Sequence, residues 1–436
     1  MSRLLPPPWK TKVVEPIELR SASERRIAIG EAGYNTFLLR SEDVFVDLLT
    51  DSGTSALSQE QRAAMELGDE AYAGSRSFFR LEQVARETFG YRYLIPAHQG
   101  RGAEHLLALA LVRPGTIVPS NLYFTTSREH VELAGGRWVD VAVEEATDPE
   151  SPFAFKGNID LARLAEMENL AAVRALTREH GVPFILDATR ISENALFVKE
   201  REPGYEERSL RELIRLIADH ADGAIFSSKK DHFVPIGGFV AVNDLELARR
   251  IREQVVVYEG FPHYGGMAGH DMEALAQGIR ESTDDRVVGA YVSQARYLGT
   301  LLADADVPIV VPIGAHAVFV DAKRLLPHLD QTEFPAQTLA AAFYLAGGVR
   351  SMERGIVSGQ HGSDPYDGLE LVRLTLPRRV YTQEHLTWVA DVVKHVQSRA
   401  EEIPGLRITY EPEHLRFFQA RFAPLEVFPD LAIENA

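Results

Sequence analysis

The chain has 436 residues and a formal net charge of −17, and its 45% hydrophobic fraction is that of a globular protein. The length suits two domains rather than one small core, and the acidic balance disfavours nucleic acid or an anionic membrane as partner. The sequence has no cysteine, which excludes disulfides, thiol nucleophiles and cysteine-based zinc sites.

In chain order, residues 1–12 are Pro-rich and polar, not an apolar signal core. No run of roughly 20 apolar residues follows, so no membrane span is expected and the protein is expected in the cytoplasm. Residues 91–96 read as a strand, 102–112 as a helix and 116–118 as a short strand. Helical spacing over 170–180 leads into a strand at 182–187, and an amphipathic helix at 209–220 leads into a strand at 223–227. Residues 237–242 form a further apolar run. This alternation predicts a mostly parallel sheet with helices on its faces. From about residue 272 the pattern changes. A helical stretch over 271–303 leads out of the first domain. Strands at 308–311, 316–320, 371–376 and 406–410 then alternate with helices at 334–344 and 383–398, as in a smaller α+β domain. The expected boundaries are 50–300 for the large domain, with 1–49 and 301–436 forming the small one.

Two apolar strands end in ionisable residues. Phe184-Ile185-Leu186-Asp187 ends in an acid, and Ala224-Ile225-Phe226-Ser227-Ser228-Lys229-Lys230 ends in a lysine pair. In open α/β sheets ligands sit at the carboxyl ends of strands. An acid and a lysine placed there suit pyridoxal phosphate (PLP): the lysine holds the aldehyde, and the acid keeps the pyridine nitrogen protonated. Separately, Asp187 also reads as a helix cap and the lysine pair as a solvated turn. His98-Gln99-Gly100-Arg101-Gly102-Ala103-Glu104 lies between a strand and a helix, where glycines and a helix N-terminus favour a phosphate; an ordinary tight turn is the alternative. Arg373 sits inside an apolar run and needs an anionic partner, either internal or a substrate carboxylate.

These strings, with Asp47-Leu48-Leu49-Thr50-Asp51-Ser52-Gly53-Thr54, Gly68-Asp69-Glu70-Ala71-Tyr72, Asp187-Ala188-Thr189-Arg190 and Tyr258-Glu259-Gly260, resemble the β-eliminating lyases from about Glu15 to Phe422. The resemblance implies PLP-dependent fold type I, the aspartate aminotransferase-like architecture. It implies Lys230 as the Schiff-base lysine, Asp187 at the pyridine nitrogen and Arg190 beside the 3′-oxygen. Gln99, Gly100, Arg101 and Ser227 would cradle the phosphate with Lys229 close by, and Phe124 would stack on the ring. Arg373, helped by Thr50 and Ser52, would clamp the substrate carboxylate. Tyr72 would protonate the leaving ring. Glu70 and the Gly53 carbonyl would bind a monovalent cation, K⁺ or NH₄⁺. Tyr72 and Tyr264 would reach the site from a neighbouring subunit of a homotetramer built from catalytic dimers.

Three positions resemble the phenol-lyase branch of the family rather than the tryptophanase branch: Arg354, Thr125 and Phe417. Arg354 and Thr125 would hold a phenol hydroxyl. The implied reaction is cleavage of L-tyrosine to phenol, pyruvate and ammonia, with tryptophanase activity as the alternative. Phe261 departs toward the tryptophanase pattern, and His263 is unusual for either.

One part of the pattern is absent. After Phe155-Lys156-Gly157-Asn158-Ile159-Asp160-Leu161, relatives continue through a helix, a central strand and a Gly-rich loop, whereas here Leu164-Ala165-Glu166-Met167-Glu168-Asn169 runs into the next helix. Either this is a true deletion or the chain is not the whole gene product. Losing a central strand is expected to unpair its neighbours and open the core, and a PLP-binding protein without turnover is then the alternative to an enzyme. A shorter loss falls near Gln360–Asp367.

Overall fold

A computed structural model describes residues 6–160, 166–360, 366 and 368–433. They divide into two compact units. Unit 1 takes the chain up to Asp51, Thr147–Pro152, and the chain from Ala290 on; unit 2 takes Ser52–Ala146 and Phe153–Gly289. Among the described residues no helix is long and apolar enough to cross a membrane.

The first strand, β1 (Val46–Asp47), belongs to unit 1. Unit 2 holds β2 (Tyr93–Ala97), β3 (Ile117–Ser120), β4 (Arg137–Asp140), β5 (Ile185–Asp187), β6 (Gly223–Ser227) and β7 (Gly238–Val242). Four of these form one sheet in the order β2-β7-β6-β5. β5 and β6 are parallel, and β7 runs against both its neighbours, so β2, β6 and β5 share one direction. β6 and β7 are buried along their whole length, as strands covered on both faces must be. One face packs Ile95, Val240 and Val242 against Leu106, Leu247, Ile251 and Val255 of the helices Gly100–Leu111 and Leu245–Tyr258. On the helix Arg76–Phe89, Phe89 meets Phe226 and Phe239, whose rings stack with centroids 4.3 Å apart.

The sheet stops at β5. That strand has only three residues; Ile185 and Leu186 are half-buried and Asp187 is exposed. No further strand pairs with β5 among the described residues. Among the described residues β3 and β4 pair only with each other, in parallel, and Ile117 at the start of β3 is 57% exposed. Apolar residues of short parallel strands left this open are what a missing neighbour produces. Leu164 and Ala165, at the sequence break, lie outside the described residues, and the helix Glu166–Glu179 begins immediately after them.

Unit 1 adds β8 (Ala317–Asp321), β9 (Val349–Arg350), β10 (Met352–Arg354), β11 (Leu371–Thr375), β12 (Leu406–Tyr410) and β13 (Arg421–Pro424). β10-β11-β8 form an antiparallel sheet, β1 pairs with β9 in parallel, and β12 pairs with β13. The helix Pro335–Gly347 is buried at every residue and forms the centre of this unit's core, with the helix Gln383–Ser398 against it.

Two expectations are corrected. Residues 308–311 are not a strand: prolines at 308 and 312 remove ladder donors, and only an isolated bridge, Ile309 to Val320, forms there. The stretch 271–303 is two helices, Gly269–Glu281 and Asp285–Ala303. Asp284 accepts from the Arg286 N–H at 2.8 Å and so starts the second one. Of the shorter loss near Gln360–Asp367, residues 361–365 and 367 lie outside the described residues.

Candidate active site

Unit 2 gathers the PLP-type residues at the ends of β5 and β6. Lys230 Nζ donates to Ser227 Oγ at 2.7 Å. Ser227 in turn faces the start of the helix Gly100–Leu111. A Cβ on Gly100 would overlap the Ser227 side chain, so only glycine lets the two elements meet. Gly238 is pinned in the same way: a Cβ there would lie 2.5 Å from the Gln99 carbonyl carbon. Gln99 caps the helix in extended conformation and its side chain makes no capping bond, which leaves the helix N-terminus for an anion. Lys229 lies at the same place, its Cε 2.7 Å from where a Gly53 Cβ would stand. Burial lowers the Lys229 pKa, and the nearby Arg101 charge lowers it further. A small-residue cradle, a hydroxyl, a helix N-terminus and two cationic side chains match a phosphate monoester in chemistry. The adjacent Lys230 matches an aldehyde.

β5 delivers Asp187 at its last residue, in register with Ile225 of β6. Its Oδ1 accepts from the Thr189 N–H at 3.1 Å, and Thr189 Oγ1 accepts from the Ser227 N–H at 3.1 Å, tying the two strand ends together. Arg190 is the N-cap of the helix Ile191–Arg201. Phe124 is the N-cap of the helix Thr125–Leu133 and is 42% exposed; Thr125 opens that helix.

Glu104 closes the His98–Glu104 motif, which by itself gives it no role, and lies in the first turns of the Gly100 helix. Its Oε2 accepts from Thr126 Oγ1 at 2.7 Å. Burial and the Asp187 charge raise its pKa to about 7, against the opposing pull of Thr126, Lys230 and Ser127. Glu104 therefore sits within electrostatic reach of both Asp187 and Lys230. Glu259 lies in Tyr258-Glu259-Gly260. Its Oε2 accepts the His98 N–H at 2.9 Å and meets His98 Nδ1 at 2.5 Å, fixing the turn that precedes Gln99.

The aromatic loops of unit 2 come together. The Tyr72 ring lies 5.2 Å from Tyr264 and 5.7 Å from Phe261. Tyr72 remains 68% exposed, and its hydrogen bond with Tyr264 raises its pKa. His263 Nδ1 accepts from the Gly74 N–H at 2.9 Å and stacks on Phe78, so its role here is to join the two loops. Glu70 caps the helix Gly269–Glu281. It accepts from the Gly269 N–H at 2.6 Å and the His270 N–H at 3.0 Å, and its Oε1 meets His270 Nδ1 at 2.9 Å. These bonds hold Glu70 at the start of that helix, while the Gly53 N–H donates to the Lys229 carbonyl at 2.7 Å.

Unit 1 carries the other group. Arg373 is central in β11, facing Met352 on one side and Phe319 on the other. Its Nη2 reaches the Leu49 carbonyl at 3.4 Å and the Met352 sulfur at 2.8 Å. Thr50 follows Leu49, and Ser52 opens unit 2. Arg354 ends β10, and Phe417 is buried against Phe37 and Phe418.

A family model described as beta-eliminating lyase matches residues 47–167 and 163–392. Its two pieces meet at the point where the sequence departs from its relatives. The tyrosine phenol-lyase of Symbiobacterium thermophilum is 51% identical over 457 residues, covering 98% of this chain and all of the relative. That of Nostoc punctiforme is 50% identical, covering 95% of this chain and 96% of the relative. The first alignment is longer than the 436-residue chain, so that relative carries residues this one lacks. Among solved structures, Sphingomonas wittichii serine palmitoyltransferase matches with a TM-score of 0.58 at 16% identity, covering 88% of this chain and 97% of that one. The aromatic aminotransferase of Pyrococcus horikoshii OT3 matches with a TM-score of 0.59 at 14% identity, covering 87% and 99%. These likenesses show the fold, which is that of PLP enzymes of fold type I.

Proposed function

The chain belongs to the β-eliminating lyase family, and we propose that it splits L-tyrosine by β-elimination into phenol, pyruvate and ammonia. The observation that carries the reading is the Lys230 amine 2.7 Å from Ser227 Oγ, at a cradle only Gly100 can form. It is supported by about half identity, across nearly the whole chain, to proteins named tyrosine phenol-lyase.

Bound PLP supplies an aldehyde for the substrate amine and a ring that accepts the electron pair released at Cα. In this assignment Lys230 would hold the aldehyde of the cofactor, and its amine would take the Cα proton of the substrate. Asp187 keeps the pyridine nitrogen protonated and Arg190 holds the 3′-oxygen. Gln99, Gly100, Arg101, Ser227 and Lys229 hold the phosphate, and Phe124 covers the ring. Arg373, with Thr50 and Ser52, binds the substrate carboxylate. Tyr72 donates a proton to the ring carbon at the Cβ–aryl bond while Arg354 and Thr125 hold the phenol oxygen, so the ring leaves as neutral phenol. Phe417, Phe261 and Tyr264 shape the aromatic pocket. Water then converts the three-carbon remainder to pyruvate and ammonia.

The same reading assigns a cytoplasmic homotetramer, in which the exposed Tyr72 and its neighbour Tyr264 serve a second subunit's site. It assigns a monovalent cation to Glu70 and the Gly53 carbonyl. The test of the site assignment is Lys230→Ala. The variant should lose both the visible absorbance of bound cofactor and phenol release. Loss in Lys229→Ala instead would move the role to the neighbouring lysine.

A further inference from the structure

The segment that follows Arg354 is fixed by three side chains that the reaction does not use. Glu353 and Glu370 are buried, 3% and 1% exposed. Glu353 Oε1 accepts the N–H groups of Gly355 at 2.5 Å and Val357 at 3.0 Å. Glu370 Oε1 accepts the Ile356 N–H at 2.8 Å and the Gln331 amide at 3.2 Å. Its Oε2 accepts the Ala336 N–H at 3.3 Å. Three successive backbone donors after Arg354 are thus taken by two carboxylates. Gly355 is required, because a Cβ there would collide with the Glu370 carboxylate.

The carbonyls of the same segment are taken by one guanidinium. Arg416 Nε donates to the Val357 carbonyl at 3.0 Å and Nη2 to the Ile356 carbonyl at 2.5 Å. Nη2 also meets Gln360 Oε1 at 2.8 Å, and Nη1 meets Glu411 at 2.6 Å. Arg416 immediately precedes Phe417, which is buried against Phe37 and Phe418. The planar fork of arginine holds two carbonyls from separate nitrogens in a fixed geometry, which the single ammonium of a lysine does not reproduce. So the backbone two and three residues after Arg354 and the residue before Phe417, far apart in sequence, are joined by one side chain. The carboxylates press the segment from the opposite polarity.

We propose that Arg416, Glu353 and Glu370 are positioning residues that hold Arg354 and Phe417 as one unit and thereby set which leaving group the enzyme accepts. The proposal rests on Arg354 and Phe417 facing the substrate ring. The clamp acts only on a ring whose hydroxyl must be held. A substrate whose leaving group is a thiolate, such as S-methyl-L-cysteine, needs no such partner.

The test compares holoenzyme kinetics on L-tyrosine and S-methyl-L-cysteine for the wild type, Arg416→Lys and Glu370→Gln. The glutamine variant preserves side-chain volume but keeps one acceptor oxygen where the carboxylate has two, so it loosens the segment without a large change of shape and reports if the arginine variant fails to fold. Expected is a loss in kcat/KM for tyrosine on the order of 10- to 100-fold, the scale of small misplacement. S-methyl-L-cysteine turnover and the cofactor absorbance should stay within about twofold of wild type, far below that scale. Equal losses on both substrates, or no loss on tyrosine, overturn the proposal. A wild type that turns over S-methyl-L-cysteine but not tyrosine overturns the substrate reading instead.

Discussion

Lys230 Nζ and Ser227 Oγ meet at 2.7 Å across the turn that ends β6, and Ser227 is the side chain that Gly100 must be small enough to accommodate. One contact therefore links the two halves of the cradle. Gly100→Ala should displace Ser227 and weaken cofactor binding by at least roughly tenfold, about the worth of one charge-assisted hydrogen bond. Titrating the purified apoprotein with PLP and following visible absorbance measures this. Unchanged affinity would remove Gly100 from the cradle.

Glu104 gives the site a pH signature. Its folded pKa of about 7 lies above the ordinary carboxylate value, because of burial first and the Asp187 charge second. Between those two values the folded state binds more protons than the unfolded state. Stability therefore falls as pH rises through that window and levels off above about 7. Glu104→Gln should flatten part of the fall in thermal midpoint between about pH 5 and 7. Glu370, raised to about 7 by burial and by Glu353, accounts for a further part that this variant leaves in place. A midpoint profile identical to wild type would refute the assignment.

Asp51 and Arg378 form an ion pair at 2.8 Å with both side chains essentially inaccessible, and Arg378 also lies over the Tyr291 ring. Removing one partner strands a buried charge. Asp51→Asn should cost about 3–5 kcal/mol by denaturant unfolding, with little change in cofactor absorbance. A cost under about 1 kcal/mol, the range of surface pairs, would show that the pair is not buried in solution.

Among the described residues β5 is a three-residue strand paired on one edge, whereas β6 is paired on both. Backbone amides of Ile185–Asp187 should exchange with deuterium markedly faster than those of Gly223–Ser227. Inserting at the sequence break at Leu164 and Ala165 a helix-and-strand segment of the kind the resemblance implies there should slow that exchange and tighten PLP binding through Asp187. Equal protection of the two strands before insertion would mean that the sheet is closed on this side.

Much of this was legible in the sequence for identifiable reasons. Residues 223–227, 383–398 and 406–410 are strands and a helix to the residue, because a continuous apolar run or an amphipathic period is bounded by clear stops. The pairing of the Asp187 and Lys230 strand ends followed from the same runs. Ser282-Thr283-Asp284-Asp285 was read through as helix although it holds a capping aspartate. Prolines at 308 and 312 outweighed local apolarity. Glu104 and Arg416 were missed because their partners, Thr126 and the carbonyls of 356 and 357, are set by tertiary packing and leave no local spacing to read.

The most direct measurement incubates the purified protein with PLP, K⁺ and either L-tyrosine or L-tryptophan, and quantifies the aromatic product. Phenol from tyrosine, with pyruvate in equal amount and little indole from tryptophan, is the expected result. Indole from tryptophan with no phenol from tyrosine would contradict the account.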